Sequence, residues 1–236
     1  MNPGPLVDPT EVPQWLRGLA DTSAELDSEL FTKFSPPPNS APRPAAVLLL
    51  FGEDELGPDV LLLRRADTLG SHAGQVAFPG GGADPGDDGP VTTALREAEE
   101  EAGVDPGGVR PVALLPELYI PVSNWNVTPV LAYWREPCEV HPVDPGETAE
   151  VARIPLAELT DPANRFQVYR GDSEWKGPAF TAGGLFVWGF TAGLLSVLLA
   201  LGGWEREWDR DDVRDLHVAL HEHNERTRTG AEERIE

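Results

Sequence analysis

The hydrophobic pattern first becomes regular at two apolar runs, residues 45–51 and 59–65. The stretch GEDELGP between them carries the Gly, Asp and Pro residues typical of a turn. Short apolar runs bounded in this way predict two strands of a hairpin. By the same criterion, further strands are predicted at residues 74–78, 112–120, 127–134, 150–154, 166–169 and 179–181.

Residues 90–102 predict the best-defined helix of the chain. Asp88 is placed to act as its N-cap, and Pro90 suits the first helical turn. Gly103 can adopt the left-handed conformation that ends a helix.

Other segments predict shorter or more exposed helices: residues 12–19, 155–159 and 211–224. Strand patterns that alternate with helical patterns are typical of the α/β class. The sequence therefore predicts an α/β/α sandwich built on a mixed β-sheet.

Residues 185–203, LFVWGFTAGLLSVLLALGG, are nearly all apolar and about as long as a minimal membrane span. The stretch contains four glycines, together with Thr191 and Ser196, and acidic residues follow it. These features favour a helix over residues 187–201 that is buried across one face of a sheet, and no membrane partner is expected.

Composition changes along the chain and predicts three parts. Residues 1–43 are an N-terminal extension that ends in the Pro-rich linker SPPPNSAPRP, residues 44–204 form the main domain, and residues 205–236 form a charged helical tail. The first residues lack the basic and apolar regions of a signal peptide.

The charge balance limits the class of partner. Eighteen Lys and Arg residues stand against 40 Asp and Glu residues, which gives a formal net charge of -22. Such a surface repels phosphate backbones and argues against nucleic acid, whereas a small polyanion remains compatible if cations screen the site. The single cysteine, Cys138, fits a reducing compartment, so the cytoplasm is expected. The oligomeric state is left open.

The predicted helix places three glutamates on one face. Glu97, Glu100 and Glu101 are spaced i, i+3 and i+4, whereas Glu99 points elsewhere. Like charges at this spacing repel each other, and a divalent cation such as Mg²⁺ or Mn²⁺ reverses the sign of that interaction. Arg96 lies four residues before Glu100 and is placed to orient its carboxylate. Taken alone, such a run is also compatible with a solvated acidic face.

The context of this helix resembles the signature of the Nudix hydrolase family. That signature is a Gly, five residues, a Glu, seven residues, and then Arg-Glu-apolar-x-Glu-Glu-x-Gly-apolar. Its second half is matched by Arg96, Glu97, Ala98, Glu100, Glu101, Gly103 and Val104. Gly82 falls at the first glycine, and Asp88 stands where the first Glu is usual.

The resemblance implies metal-dependent hydrolysis of a diphosphate linkage. Glu97 and Glu101 would be the main metal ligands, with Glu100 as an additional or water-mediated ligand. Bound metal would neutralise the diphosphate oxygens and lower the pKa of the attacking water. Gly80 and Gly81 would let the backbone approach both helix and substrate without a Cβ clash.

A carboxylate outside the signature usually supplies the catalytic base in this family. Glu147, in the loop DPGETAE, is the best candidate for this role, and Glu150 is its competitor. Either residue could also be an ordinary solvated loop glutamate.

Residues 61–88 resemble an additional motif of the coenzyme A pyrophosphatases within the family. The matching residues are Leu61, Leu62, Arg65, Ala66, Gly74, Phe78, Pro79, Gly80 and Gly81. Leu63 replaces the usual Thr, and Gly70 replaces a second Arg. Fourteen residues separate Gly81 from Arg96, as in these relatives, and this spacing makes Asp87 the counterpart of their loop acid.

This second resemblance implies that coenzyme A, or an acyl derivative, is split into 3′,5′-ADP and a phosphopantetheine. Arg65 would then contact a substrate phosphate. Two alternatives stay open: a Nudix enzyme for ADP-ribose or NADH, which the absence of Arg at Gly70 permits, and a non-catalytic ligand sensor. Retention of all three glutamates argues against the sensor.

Overall fold

The computed structural model describes residues 4–171 and 175–232. Its strands are β1 (Gly4–Pro5), β2 (Arg43–Asp54), β3 (Gly57–Arg65), β4 (Val76–Ala77), β5 (Gly80–Gly82), β6 (Val109–Leu114), β7 (Leu118–Ile120), β8 (Trp125–Trp134), β9 (Thr148–Pro155), β10 (Arg165–Tyr169), β11 (Lys176–Ala182), β12 (Leu185–Val187) and β13 (Val213–Asp215). Its helices are α1 (Gln14–Thr22), α2 (Pro90–Ala102), α3 (Leu156–Leu159), α4 (Gly189–Leu201) and α5 (Leu216–Glu232).

Within the described residues, nine strands form the main sheet, with a central order of β1-β6-β8-β2-β3-β4. In addition, β5 pairs with β2, β7 with β8, and β9 with β3. The sheet is mixed because β2 and β8 run parallel while the β2–β3 hairpin is antiparallel. A separate four-stranded sheet has the order β12-β11-β10-β13, and the sequence did not predict this division.

Strand β2 shows why helices cover both faces of the main sheet. Alternate residues of a strand point to opposite faces, and nearly every residue from 45 to 51 is buried. On one face Leu48 and Leu50 join the core cluster that includes the alanines of α2. On the other, Leu49 and Phe51 join the cluster that includes leucines of α1 and α4. The predicted α/β/α sandwich with a mixed sheet is therefore confirmed.

The apolar segment forms a buried helix, as predicted, preceded by strand β12. Four α4 side chains are almost completely inaccessible: Leu194, Leu195, Leu198 and Leu199. Across the described part of the chain, no helix combines the length and hydropathy needed to cross a bilayer.

The N-terminal segment is not a detached appendage. Strand β1 pairs with β6, and α1 buries Leu16, Leu19 and Ala20 in the main core. The C-terminal segment also packs closely, since β13 pairs with β10 and Trp208 is buried. The predicted boundaries after residues 43 and 204 stay predictions, but both flanking segments contact the rest of the fold.

Two local predictions near the glutamate helix need correction. Helix α2 spans the predicted residues, but its N-cap is Gly89 with φ 130°, and Asp88 makes no capping bond. A positive φ of this size favours glycine, which explains why Asp88 is displaced from the cap. The predicted strand over residues 112–120 is divided into β6 and β7. Gly103 ends α2 in the left-handed conformation, as predicted.

Candidate active site

The glutamates of α2 range from buried to exposed. Glu101 lies on the face that packs against the sheet and is 8% exposed. The side chain of Glu97 is 17% exposed and that of Glu100 is 58% exposed. Glu99 is on the solvent side. The exposure of the three carboxylates thus increases from Glu101 to Glu97 to Glu100.

Strand β5 fits against these carboxylates because it consists of glycine. The backbone N–H of Gly80 donates to Glu101 Oε2 at 2.9 Å. Gly80 has φ 157°, and a Cβ atom there would lie 2.4 Å from the Ala46 carbonyl oxygen. A Cβ atom on Gly81 would lie 2.6 Å from Glu97 Oε1. Larger residues at Gly80 or Gly81 would therefore displace β2 or a carboxylate of the cluster.

Arg96 connects the helix to the preceding loop. Its Nε and Nη2 atoms donate to both carboxylate oxygens of Asp87 at 3.2 and 3.0 Å, and Nη2 also donates to the Gly82 carbonyl oxygen at 2.9 Å. Its Nη1 atom donates to Glu97 at 3.0 Å and to Glu100 at 2.9 Å. The predicted contact with Glu100 is present, and the guanidinium also restrains Glu97. Through these hydrogen bonds, Arg96 restrains the positions of Asp87, Glu97 and Glu100.

Asp87, rather than Asp88, is the loop acid that reaches the cluster. The Asp87 side chain is 5% exposed and accepts hydrogen bonds from Thr93 Oγ1 and the Asp84 backbone N–H. Its hydrogen bonds with Arg96 hold the pKa of Asp87 well below its usual range. Asp88 is exposed. The longer loop between Gly81 and Arg96 was the sequence signal that already pointed to Asp87.

The two inner carboxylates resist ionisation. Burial, together with the negative charges of Glu97 and Glu147, raises the pKa of Glu101 to about 7, against the opposing effects of the Gly80 N–H and Arg65. Burial also raises the pKa of Glu97, despite its hydrogen bond with Arg96. Buried carboxylates that lie close to one another favour either a bound proton or a bound cation, since both remove the repulsion between their negative charges.

Arg65 approaches the cluster from the end of β3. The pairing of β3 with β9 shifts its register between Arg64 and Arg65, as it does at a β-bulge. Arg65 Nη1 lies 3.7 Å from Glu101 Oε1, and among the described residues its buried Nε has no hydrogen-bond partner. Arg64 instead contacts Asp67 and Glu150. Of these two neighbouring arginines, Arg65 therefore faces the carboxylates of α2.

The same arrangement separates the two candidate bases. The negative charge of Glu147 contributes to the raised pKa of Glu101, which places Glu147 close to the cluster. Its side chain is exposed, and its backbone carbonyl accepts from the Ala66 N–H at 2.8 Å. Glu150 lies 3.8 Å from Arg64 Nε. The choice between Glu147 and Glu150 as the base stays a prediction.

The donor set matches the chemistry of a hard divalent cation. Glu97, Glu100 and Glu101 offer carboxylate oxygens, which Mg²⁺ and Mn²⁺ prefer. Within the described ranges, no three acidic, His or Cys side chains converge into a ready-made cage. An incomplete protein shell suits Mg²⁺, which retains waters and shares its coordination with substrate phosphates.

Comparisons with known proteins agree with this geometry. The family model described as the NUDIX domain matches residues 41–173, which is more than half of the chain. The chain belongs to the Nudix family. The Nudix hydrolase NudL of Pectobacterium atrosepticum is 40% identical over 149 residues, covering 60% of this chain and 73% of that protein. The mitochondrial Nudix hydrolase 15 of Arabidopsis thaliana is 35% identical over 170 residues, covering 67% and 58%, respectively.

Among solved structures, the Nudix hydrolase RenU of M. smegmatis aligns with a TM-score of 0.48 and 24% identity, covering 73% of this chain and 96% of that one. As a Nudix hydrolase, the protein acts on a diphosphate linkage, and enzymes of this family generally use divalent metal ions such as Mg²⁺ or Mn²⁺.

Proposed function

We propose that this Nudix hydrolase cleaves coenzyme A, or an acyl derivative, into 3′,5′-ADP and the corresponding phosphopantetheine. The observation that carries the proposal is the position of Arg65, a residue of the coenzyme A motif. Its Nη1 lies 3.7 Å from Glu101, and its buried Nε has no hydrogen-bond partner in the part of the chain that the structure describes. Two more motif positions support it: Gly80 donates to Glu101, and Asp87 holds Arg96.

In the proposed reaction, the oxygen of water adds to one phosphorus of the diphosphate and the bridging P–O bond breaks. The bridging oxygen leaves with the other phosphate, and the proton of the water passes to a base. Glu97 and Glu101 would hold Mg²⁺ or Mn²⁺, with Glu100 as the additional or water-mediated ligand. A bound cation would neutralise the diphosphate oxygens and lower the pKa of the water. Arg96 would keep Glu97 and Glu100 in place through its two hydrogen bonds.

Glu147 is the proposed base because its negative charge acts on Glu101, whereas the nearest cation to Glu150 is Arg64, at 3.8 Å. The Glu147→Gln variant should lose roughly a hundred-fold or more in kcat, as general-base removal typically does. Glu150→Gln is the matched control and should stay within about twofold, since a pair exposed to this degree contributes little. Equal losses in the two variants would contradict the assignment.

Steady-state rates on coenzyme A, dephospho-coenzyme A, ADP-ribose and NADH at fixed Mg²⁺ test the substrate. A charge-assisted contact to the additional phosphate should favour coenzyme A over dephospho-coenzyme A by roughly ten- to a hundred-fold in kcat/KM. A clear preference for ADP-ribose or NADH would overturn the substrate and leave the Nudix chemistry standing. That result would agree with Gly70, where a Cβ atom would meet open space and no arginine is available.

Metal-dependent turnover in the same assay also tests the alternative of a ligand sensor. A sensor would bind the diphosphate without releasing two phosphorylated products. We further propose a cytoplasmic location, because the free thiol of Cys138 suits a reducing compartment.

A further inference from the structure

A stacked pair, Arg43 and Trp125, lies beside the glycine strand. The two residues are register partners on the parallel strands β2 and β8. The Arg43 guanidinium carbon is 3.9 Å from the centroid of the Trp125 ring. A guanidinium at this distance is attracted to the ring and is held with its plane in a restricted orientation.

Arg43 has no acidic partner in the described residues, although the chain contains 40 Asp and Glu residues. Its side chain is exposed. Arg64, Arg65 and Arg96, by contrast, each lie within 4 Å of a carboxylate oxygen. The positive charge of Arg43 is therefore not neutralised by a carboxylate of the described residues and is available to an anionic ligand.

Strand β5 joins this pair to the carboxylate cluster. A Cβ atom on Gly82 would lie 2.8 Å from Trp125 Cη2, so the indole edge is packed against the backbone of Gly82. The adjacent Gly81 faces Glu97 in the same way. Arg43 with Trp125 and the glutamates thus lie on opposite faces of one strand, a single residue apart.

The way from the carboxylates to Arg43 leads past the outer edge of β5, where Glu101 accepts a hydrogen bond from the Gly80 N–H and Arg96 donates to the Gly82 carbonyl oxygen. The three glycines carry no side chains, and in the described structure β5 pairs only with β2. A diphosphate held at Glu97 and Glu101 could therefore lie along the glycine backbone beside Arg96 and extend a second anionic group toward Arg43.

We propose that Arg43, oriented by Trp125, is a specificity-determining residue that binds a phosphate monoester on the ribose of the substrate, remote from the diphosphate. In the substrate proposed above this group is the 3′-phosphate, so the naming of the group rests on the proposed function. Arg65 remains assigned to the diphosphate, since it contacts Glu101. Arg43, at the start of β2, thus supplies the positive charge that an arginine at position 70 would have carried.

The test compares the binding of 3′,5′-ADP with that of 5′-AMP by calorimetry, because the two ligands differ only in the monoester. We expect the wild-type protein to bind 3′,5′-ADP roughly ten- to a hundred-fold more tightly. Arg43→Gln should bring the two affinities within about twofold by weakening 3′,5′-ADP alone. Trp125→Leu should reduce the preference severalfold, since it retains the cation but releases its orientation.

Arg206→Gln is the matched control, since it removes one exposed arginine outside the site and should keep the wild-type preference. Circular dichroism verifies that each variant is folded. A wild-type protein that does not distinguish the two ligands would overturn the assignment of Arg43. An equal loss of affinity for both ligands in Arg43→Gln would also overturn it, because Arg43 would then bind the diphosphate or support the fold.

The outcome for Arg43 is separable from that for the enzyme's substrate. A preference for 3′,5′-ADP that disappears in Arg43→Gln supports the contact even if coenzyme A is not hydrolysed, and in that case only the proposed substrate fails. If coenzyme A is hydrolysed but Arg43→Gln retains the preference for 3′,5′-ADP, the substrate stands and the role of Arg43 is wrong.

Discussion

Helices α2 and α4 each contain 13 residues and cover opposite faces of the main sheet, yet they contribute different things. Helix α4 contacts the core through four buried leucines. Helix α2 contacts it through Ala94, Ala98 and Ala102, and buries Glu101 beside them. Leucine side chains supply about 1.5–3 kcal/mol each when fully buried, whereas a buried carboxylate opposes folding.

The comparison shows that stability and chemistry are divided between the two faces. Alanines bring α2 close enough for Glu101 to accept a hydrogen bond from Gly80 and for Glu97 to contact Gly81. The leucines of α4 join a cluster that also contains residues of α1 and β2. The free energy gained by burying the leucines of α4 can therefore offset the cost of burying Glu101 on the face of α2.

The largest expected effect is on catalysis at α2. Glu101→Gln should reduce metal-dependent hydrolysis by about a thousand-fold or more, because it removes a proposed ligand from a step to which metal contributes several kcal/mol. Glu97→Gln should behave in the same way. Product formation at saturating Mg²⁺ measures the loss, and thermal unfolding measures whether the fold is retained. Near-normal turnover of Glu101→Gln would remove α2 from the catalytic site.

The next largest effect is expected in α4, where a substitution should reduce stability and leave activity unchanged. Leu198→Ala in α4 should lower the free energy of unfolding by about 2–5 kcal/mol, because it leaves a cavity in a fully buried position. Urea denaturation measures this change. Turnover per folded molecule should be unchanged, and a selective loss of activity at full stability would show that α4 takes part in the chemistry.

The stability of the metal-free protein should also depend on pH through Glu101. Its pKa is raised in the folded state from an ordinary value of 4.5 to about 7, so the folded protein binds the proton more tightly. Stability from this group is fully present below about pH 4.5 and is lost as pH rises through about 7. Each pKa unit corresponds to ~1.4 kcal/mol, so the loss could reach about 3 kcal/mol.

Denaturation of the wild type and of Glu101→Gln across this pH range, with a chelator present, isolates the contribution. The difference between the two proteins should grow in favour of the Gln variant as pH rises. Parallel curves would show that Glu101 titrates at its ordinary value, and the electrostatic contrast between the helices would then be wrong.

The smallest effect is expected at Glu99, which shares α2 but is exposed. Glu99→Gln should leave kcat and KM within about twofold and the free energy of unfolding within about 0.5 kcal/mol. Losses equal to those of Glu101→Gln would mean that total helix charge, rather than the face it occupies, controls activity.

Several elements could be predicted from local sequence alone. The hairpin of β2 and β3, the limits of α2 at Pro90 and Ala102, and the burial of α4 each follow from periodicity, turn residues or capping within a short window. The i, i+3, i+4 spacing likewise predicted which glutamates share a face of α2. These features depend on neighbours in the chain, so the sequence carries enough information to specify them.

Other features depended on contacts between distant segments. The burial of Leu16 and Leu19 and the pairing of β13 with β10 require the assembled fold. The positions of Arg65 and Arg43 belong to the same class. Each arginine lies near the cluster because strands bring it there, and strand pairing joins residues whose separation in the chain carries no local signal. The sequence by itself determined the helix, the hairpin and the carboxylate spacing, whereas tertiary packing decided which charges meet at the site.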